Sequence, residues 1–490
     1  HDIVYSLFED KSKNLWIGTI AGIDRADLKT KKFRNYKKTD DPNSLNLLDN
    51  IIGSIYIDKD KRLWVGNWAK GLNIYNPESK EMVHYSSEFE GDRNISNNHI
   101  HVLFEDSESR IWMGTRNGVS LFDPDRQRFI PFNTYFGLDT MDFFVNNRVY
   151  CITENSNGKI WMGTGNGIIT FDPQTKERSF YRSGAEEPYT ISSNLVYSIF
   201  EDSEGLVWIA TLDGMDCYKP RENKMLHFSH QNGQTNTLCD NFTISLCEDQ
   251  QGDIWIGTST GVNRFHKKDS LFTYYSMKDG LPSNIVYDII EDKNRNLWLS
   301  TGSGLAMFDM NTKEIKSYSI NEGLQGGEFN LKAVYQDEKG NVFFGGMDGL
   351  IAFHPDSLQD NTFIPPVVIT SFDKERGAQK EKLNVYTNKL ELSYKDYSFT
   401  IAYAALDYTK PFKNRYAYKM EGLSDEWIEV GNRHFVHFTN LPSGQYTFLV
   451  KGTNNDGIWN EVPTKIEIRI SPPWWRSAYA YVAYILLGFL

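Results

Sequence analysis

Few side chains in this sequence stand where chemistry would want them. His99 and His101, in the run HIH, fall at i and i+2 and share one side of a strand. A metal site needs at least a third ligand, and none is in view. Cys151, Cys217, Cys239 and Cys247 fit no CxxC or zinc spacing and read as buried single thiols. The acidic stretches DKDKR from Asp58, DSEGL from Asp202 and DQQGD from Asp249 lack the further oxygen ligands and closing glutamate of a calcium loop. They read as hairpin turns, so no cofactor and no metal is expected. What remains suits a sugar. Trp68 and Lys70, in NWAK, are joined at the same point of later repeats by Arg116, Asn117, Asn166 and Asp213. An indole stacks on a pyranose ring while amides and charges bond its hydroxyls and carboxylates. The same Trp68 could instead cover the next unit of the fold.

Those positions are fixed by a repeat. The six letters NLWIGT recur as RLWVGN, RIWMGT, KIWMGT, LVWIAT, DIWIGT, NLWLST and NVFFGG, anchored at Trp16, Trp64, Trp112, Trp161, Trp208, Trp255, Trp298 and Phe343. Spacings between anchors are 48, 48, 49, 47, 47, 43 and 45 residues. Each copy holds four short alternating runs, A to D, joined by tight turns. A four-stranded antiparallel unit repeated many times is a β-propeller blade, and the anchors read as filler between blades.

Eight A–B–C sets are present but only seven D strands, because after Pro355 the chain leaves through DSLQDNTFIPP. The spare D strand is KFRNYKK, residues 32–38. On that accounting residues 32–360 form a seven-bladed ring closed by 32–38. Residues 1–31 are then the last blade of a preceding propeller. An eight-bladed ring is the competing count.

In such a meander the start of strand A and the B–C turn share a face. Eight residues before the acidic turn stand Asp2, Asn50, Asn98, Asn147, Asn194, Asn241 and Asn284, with Phe329 as the exception. A short amide there can tie turn backbone between blades. Asn50, Asn98 and Asn147 can equally join the B–C turns in holding ligand.

A net charge of −12 and the lack of a basic stripe argue against nucleic-acid binding. Residues 365–471 hold about seven short alternating runs, the pattern of an immunoglobulin-type β-sandwich. Beyond them SPPWWR leads into AYAYVAYILLGFL, too short to span a bilayer, which takes about 20 residues. Residues 474–490 read as the start of a transmembrane helix, with Trp474, Trp475 and Arg476 at the interface.

The repeats, the stretch NRYAYKMEGLSDEW, then LPSGQYTFLVKGTNNDGIWN and PPWW resemble the periplasmic sensor region of hybrid two-component regulators of Bacteroides-type bacteria. Tyr416 and Tyr418 match the tyrosines that name that family's Y_Y_Y domain. The resemblance implies two propellers ahead of the sandwich, a homodimer, and a helix into the inner membrane leading to a histidine kinase outside this sequence. It implies oligosaccharide sensing that controls polysaccharide-utilisation genes, with no catalytic site in this region. The alternative is a propeller glycoside hydrolase or polysaccharide lyase, since DSEGLVW at residues 202–208 resembles the Asp-box turns of sialidases. A pure protein-interaction scaffold is the third reading.

Overall fold

A computed structural model describes residues 3–28, 33–39, 45–138, 147–186, 188–324, 326–358, 360–376, 379–383, 389–396, 398–476 and 478–488. Two compact units divide the chain: residues 31–358, and residues 1–30 together with 359–490.

Residues 31–358 hold seven four-stranded sheets. Blades 1 to 6 each run in sequence order, with inner strands Ile52–Ile57, Ile100–Glu105, Val149–Glu154, Val196–Glu201, Thr243–Glu248 and Val286–Glu291. Blade 7 takes Phe329–Gln336, Val342–Gly346 and Gly349–Phe353 from the end of the ring. Its fourth strand is Arg34–Tyr36, with Leu350 opposite Tyr36 and Ala352 opposite Arg34. The ring is thus sealed by hydrogen bonds between its two ends, and the outer side of Gly349–Phe353 is covered by a short strand. Lys32, at the start of the closing run, lies outside the described residues.

The repeated six letters now have causes. The tryptophans sit between sheets, Trp64, Trp112 and Trp255 fully buried. The glycine two residues on faces the inner strand so closely that a Cβ at Gly114 would overlap Val102, and one at Gly163 would overlap Cys151. The threonine hydroxyl then donates to the turn glycine's carbonyl, as Thr115 does to Gly118 at 3.1 Å and Thr164 to Gly167 at 2.7 Å.

The acidic turns do more than bend the chain. In each, Oδ2 of the aspartate accepts the indole N–H six residues on: Asp58 from Trp64 at 2.7 Å, Asp106 from Trp112 at 2.8 Å, Asp202 from Trp208 at 2.8 Å, and Asp249 and Asp292 from Trp255 and Trp298 at 2.9 Å. Oδ1 holds the backbone N–H four residues on, as Asp106 does for Arg110 at 2.9 Å. A buried indole thereby gets an acceptor. Between blades, the glutamate ending an inner strand clamps the preceding turn, Glu154 accepting from Ser107 and Glu248 from Ser203.

In the other unit, two sheets face each other. One holds Gln379–Leu383, Val367–Arg376, Ser398–Ala405 and Phe435–Thr439; the other holds Lys389–Ser393, Thr464–Ser471, Gly444–Gly452, Tyr416–Glu421 and Ser424–Gly431. Phe372, Phe399, Ile401, Tyr403, Phe448 and Ile468 fill the space between. The Tyr416 hydroxyl accepts the Ala405 N–H at 3.1 Å and that of Tyr446 donates to the Pro442 carbonyl at 2.9 Å. The first repeat stands outside the ring as three strands, Val4–Glu9, Asn14–Thr19 and Gly22–Asp27. Within this unit Trp16 meets Tyr408 edge-on at 5.6 Å. An eleven-residue helix, Ala478–Gly488, follows Trp474–Arg476. No helix among the described residues is long and apolar enough to cross a membrane.

Candidate functional site

Every inner strand begins with an irregularity. In blades 1 to 6 one residue is skipped in the pairing with the second strand: Gly53, His101, Tyr150, Tyr197, Ile244 and Tyr287 in turn. Each lies three residues after the Asn of the repeat. A β-bulge of this kind re-aims the extra side chain. In blade 7 the irregular stretch is longer, between Phe329 and Val334, and contains Lys332 with φ of 59°.

The re-aimed side chains build a pocket at the mouth of the ring. His101, Tyr150 and Tyr197 line its wall, joined by Lys332 and Leu331. Ring centroids of His101 and Tyr150 lie 5.3 Å apart, Tyr150 and Tyr197 5.3 Å, and Tyr197 and Phe242 5.1 Å, an arc of rings each tilted against the next. Blade 1 has only Gly53 at this position, and Trp68 fills the gap: a Cβ at Gly53 would collide with Trp68 Cδ1. His99, Arg116 and Arg148 complete the pocket, whose volume is about 210 Å³.

The electrostatics are one-sided. Burial pushes the His101 imidazole down to about 4, helped by His99, Arg148 and Arg116, so it is neutral at pH 7. Its Nε2 has no hydrogen-bond partner. His99 is lowered too, by burial and then by Arg116 and Arg148. Lys332 Nζ crosses toward blade 4 and donates to Ser198 Oγ at 2.7 Å. Beside it Asp288 is buried and pushed up to about 7 by loss of solvation, with Lys332 pulling the other way.

Of the sequence candidates, Trp68 and Arg116 come together here. Lys70, Asn117, Asn166 and Asp213 stay on exposed turns of the same face and outside the pocket wall. Lys70 pairs with Glu88 at 3.9 Å, and Asp213 accepts from Asn241 at 3.2 Å. The Asn ring spends its side-chain oxygens on backbone. Asn50 accepts the Lys38 N–H at 2.7 Å, Asn98 that of Ser87 at 2.7 Å, and Asn194 that of Ser183 at 2.9 Å. Asn147 is buried, and it is its backbone carbonyl that accepts the Gly118 N–H, at 3.1 Å. Sequence reasoning missed Arg148, Tyr150, Tyr197 and Lys332. Their signal was positional: Arg148, Tyr150 and Tyr197 stand one or three residues after the Asn of their repeat, and Lys332 three after Phe329, which takes that place in blade 7. His99 and His101, weighed as metal ligands, belong to the same set. A second cavity, about 940 Å³, lies on the opposite face between blades 7 and 1, with Lys59, Lys80 and Lys339 set against Asp58, Asp337 and Glu338. Its charges are mixed, and it gathers none of the candidate residues.

The two-component regulator propeller family matches residues 1–21, 46–69, 94–117, 144–166, 190–213, 237–260 and 280–303, and the Y_Y_Y domain family matches 407–471. Over 167 residues, 32% of the chain, the sequence is 32% identical to histidine kinase P4 of Formosa agariphila and covers 12% of it. The fold matches the extracellular domain of a hybrid two-component system of B. thetaiotaomicron with a TM-score of 0.79 at 27% identity, over 96% of this chain and 62% of that one. A second such domain from the same organism shares the fold at a TM-score of 0.55 and 24% identity, over 97% and 64%. The chain therefore spans less than two thirds of these relatives. Repeats, second domain and fold agree in their likeness to the propeller and Y_Y_Y regions of two-component regulators.

Proposed function

We propose that this chain is the extracytoplasmic ligand-sensing region of a membrane-anchored hybrid histidine kinase, and that its ligand is an oligosaccharide released from a complex glycan. The observation that carries this reading is the pocket at the mouth of the ring. Trp68, Tyr150 and Tyr197 offer flat faces and His101, Arg116 and Arg148 offer polar atoms, which is how a small number of placed polar groups orients a ligand in a mostly apolar site. Glycoside hydrolysis uses two carboxyl groups across the scissile bond. The described wall presents cations instead, which favours binding over cleavage. The receptor would act as a homodimer in the inner membrane, its output the transcription of polysaccharide-utilisation genes. Pro472 and Pro473, between the sandwich and Trp474, make a stiff joint for passing a change in sandwich placement to a following helix.

Calorimetry against a panel of defined oligosaccharides, with mass spectrometry of the recovered sugars, tests this. Retention of an intact sugar supports the sensor. Cleavage products would return the enzyme reading, and failure of every sugar to bind would remove the carbohydrate from the proposal.

A further inference from the structure

We propose that the pocket at the mouth of the ring binds the acidic group of a charged sugar, a carboxylate or a sulfate ester, and so selects anionic glycan fragments. This rests on the reading of the ring as a sugar sensor and adds the charge class of its ligand.

The chain carries 64 acidic residues against 52 lysines and arginines, yet the described pocket wall holds Arg116, Arg148 and Lys332 and no aspartate or glutamate. Among the described residues none of these three makes an ion pair, and Lys332 is held by the neutral Ser198 hydroxyl. Asp288, which feels the Lys332 charge, is itself buried and pushed up to about 7, so at neutral pH it is about half protonated and offsets that charge only in part. Three like charges gathered without a counter-charge repel one another, and an anion relieves that repulsion.

The geometry suits an oxyanion on a ring. Guanidinium forks pair in plane with carboxylate or sulfate oxygens. Arg116 on the B–C turn of blade 2 and Arg148 at the start of the blade 3 inner strand both line the cavity together with His99 and His101. The aromatic arc lies beside them, and the unpartnered His101 Nε2 is left to meet a hydroxyl. At about 210 Å³ the cavity is smaller than the ~300 Å³ at which drug-sized ligand sites begin. It takes one sugar residue of a fragment, and that residue carries the charge.

Titration calorimetry on the whole chain would use two matched oligosaccharide pairs: one ending in glucuronic acid against glucose, the other in 6-sulfated against unsulfated galactose. Sodium sulfate and free glucuronate serve as small anion probes. At least one acidic member should bind about tenfold or more tighter than its neutral twin, and the pair that discriminates tells carboxylate from sulfate. Arg116→Ala and Arg148→Ala, both at exposed positions, should each cost about tenfold or more, and Arg148→Lys should recover part of the loss. Equal binding of neutral twins, or binding that survives both alanine substitutions, overturns the anionic class and leaves sugar sensing standing. Binding of the small anions with no oligosaccharide bound keeps the anion site and removes sugar sensing. No binding by any probe overturns both.

Discussion

The two faces of the ring use the same repeat in opposite ways. On the face of the acidic turns the same residue does the same thing in blade after blade: an aspartate takes an indole N–H and a backbone N–H, and a glutamate reaches back to the preceding turn. On the face of the B–C turns the position recurs while the residue changes, through Gly53, His101, Tyr150, Tyr197, Ile244, Tyr287 and Lys332. Identity across blades marks what the fold needs, and variation at a fixed position marks where a ligand can be read. The sharpest way to break this contrast is to cut each side once. Trp112→Ala should lower stability by about 3–5 kcal/mol, because a fully buried indole leaves a cavity and takes one donor from Asp106. Urea unfolding reads this, and a loss under 1 kcal/mol would deny the anchor its role.

Beneath the variable face two buried titrating groups pull in opposite directions. Asp288, raised to about 7, holds a proton in the folded chain that the unfolded chain has lost above pH 4–5, so its contribution to stability falls as pH rises toward 7. His101, lowered to about 4, takes a proton in the unfolded chain below about 6.5 and not in the folded one, so its contribution rises with pH across that window. Between pH 5 and 6.5 the two nearly cancel. Asp288→Asn removes one side, and its stability relative to the wild type should climb by about 1 kcal/mol per pH unit there. Denaturation series at pH 5, 5.75 and 6.5 check the slope, and a constant difference would mean that Asp288 titrates normally.

A comparable contrast separates what could be read in the sequence from what could not. The blade period and the closing strand were legible because both are matters of counting: the D strand missing after Pro355 is found at Arg34–Tyr36. Counting family matches alone would mislead. Seven repeats match, but they include the one at residues 1–21, outside the ring, and omit the Phe343 blade within it. The pocket was legible only in part. Trp68 and Arg116 stand on a turn whose variation shows in the text. Arg148, Tyr150, Tyr197 and Lys332 depend on an irregular start to the inner strand, and alternation gives no sign of where such an irregularity falls. The turn aspartates were read as bends because their indole partners stand six residues away across a hairpin.

Trp68 lies between the two kinds of position, a variable residue that also fills space over Gly53. If its face is used by a sugar, Trp68→Ala weakens a verified oligosaccharide by about 1–3 kcal/mol. It should change stability by less, since the side chain is only half-buried. Calorimetry and melting on the same sample separate the two. Unchanged affinity would place Trp68 with the space-fillers.

The smallest effect tests the rule on the constant face at its one exception among the ring's tryptophan blades. In blade 3 the turn residue is Asn155, and the Trp161 indole N–H, six residues on, is buried without an acceptor. Asn155 Oδ1 still holds the Lys159 N–H at 2.9 Å, so the backbone half of the motif is intact and only the indole half is missing. The reason is chemical: an amide that gives its oxygen to the turn has only N–H left to offer, and two donors cannot bond. Asn155→Asp exchanges that amide for an oxygen with almost no change of shape. It should stabilise the ring by about 1 kcal/mol, the net worth of one recovered buried hydrogen bond after the cost of placing a carboxylate beside it. The reverse change, Asp106→Asn in blade 2, should cost more, about 1–3 kcal/mol, because it turns a satisfied indole into an orphan. A melting series on both variants reads the pair. Should Asn155→Asp destabilise while Asp106→Asn does nothing, the indole bond is incidental and the turn aspartates serve the backbone alone.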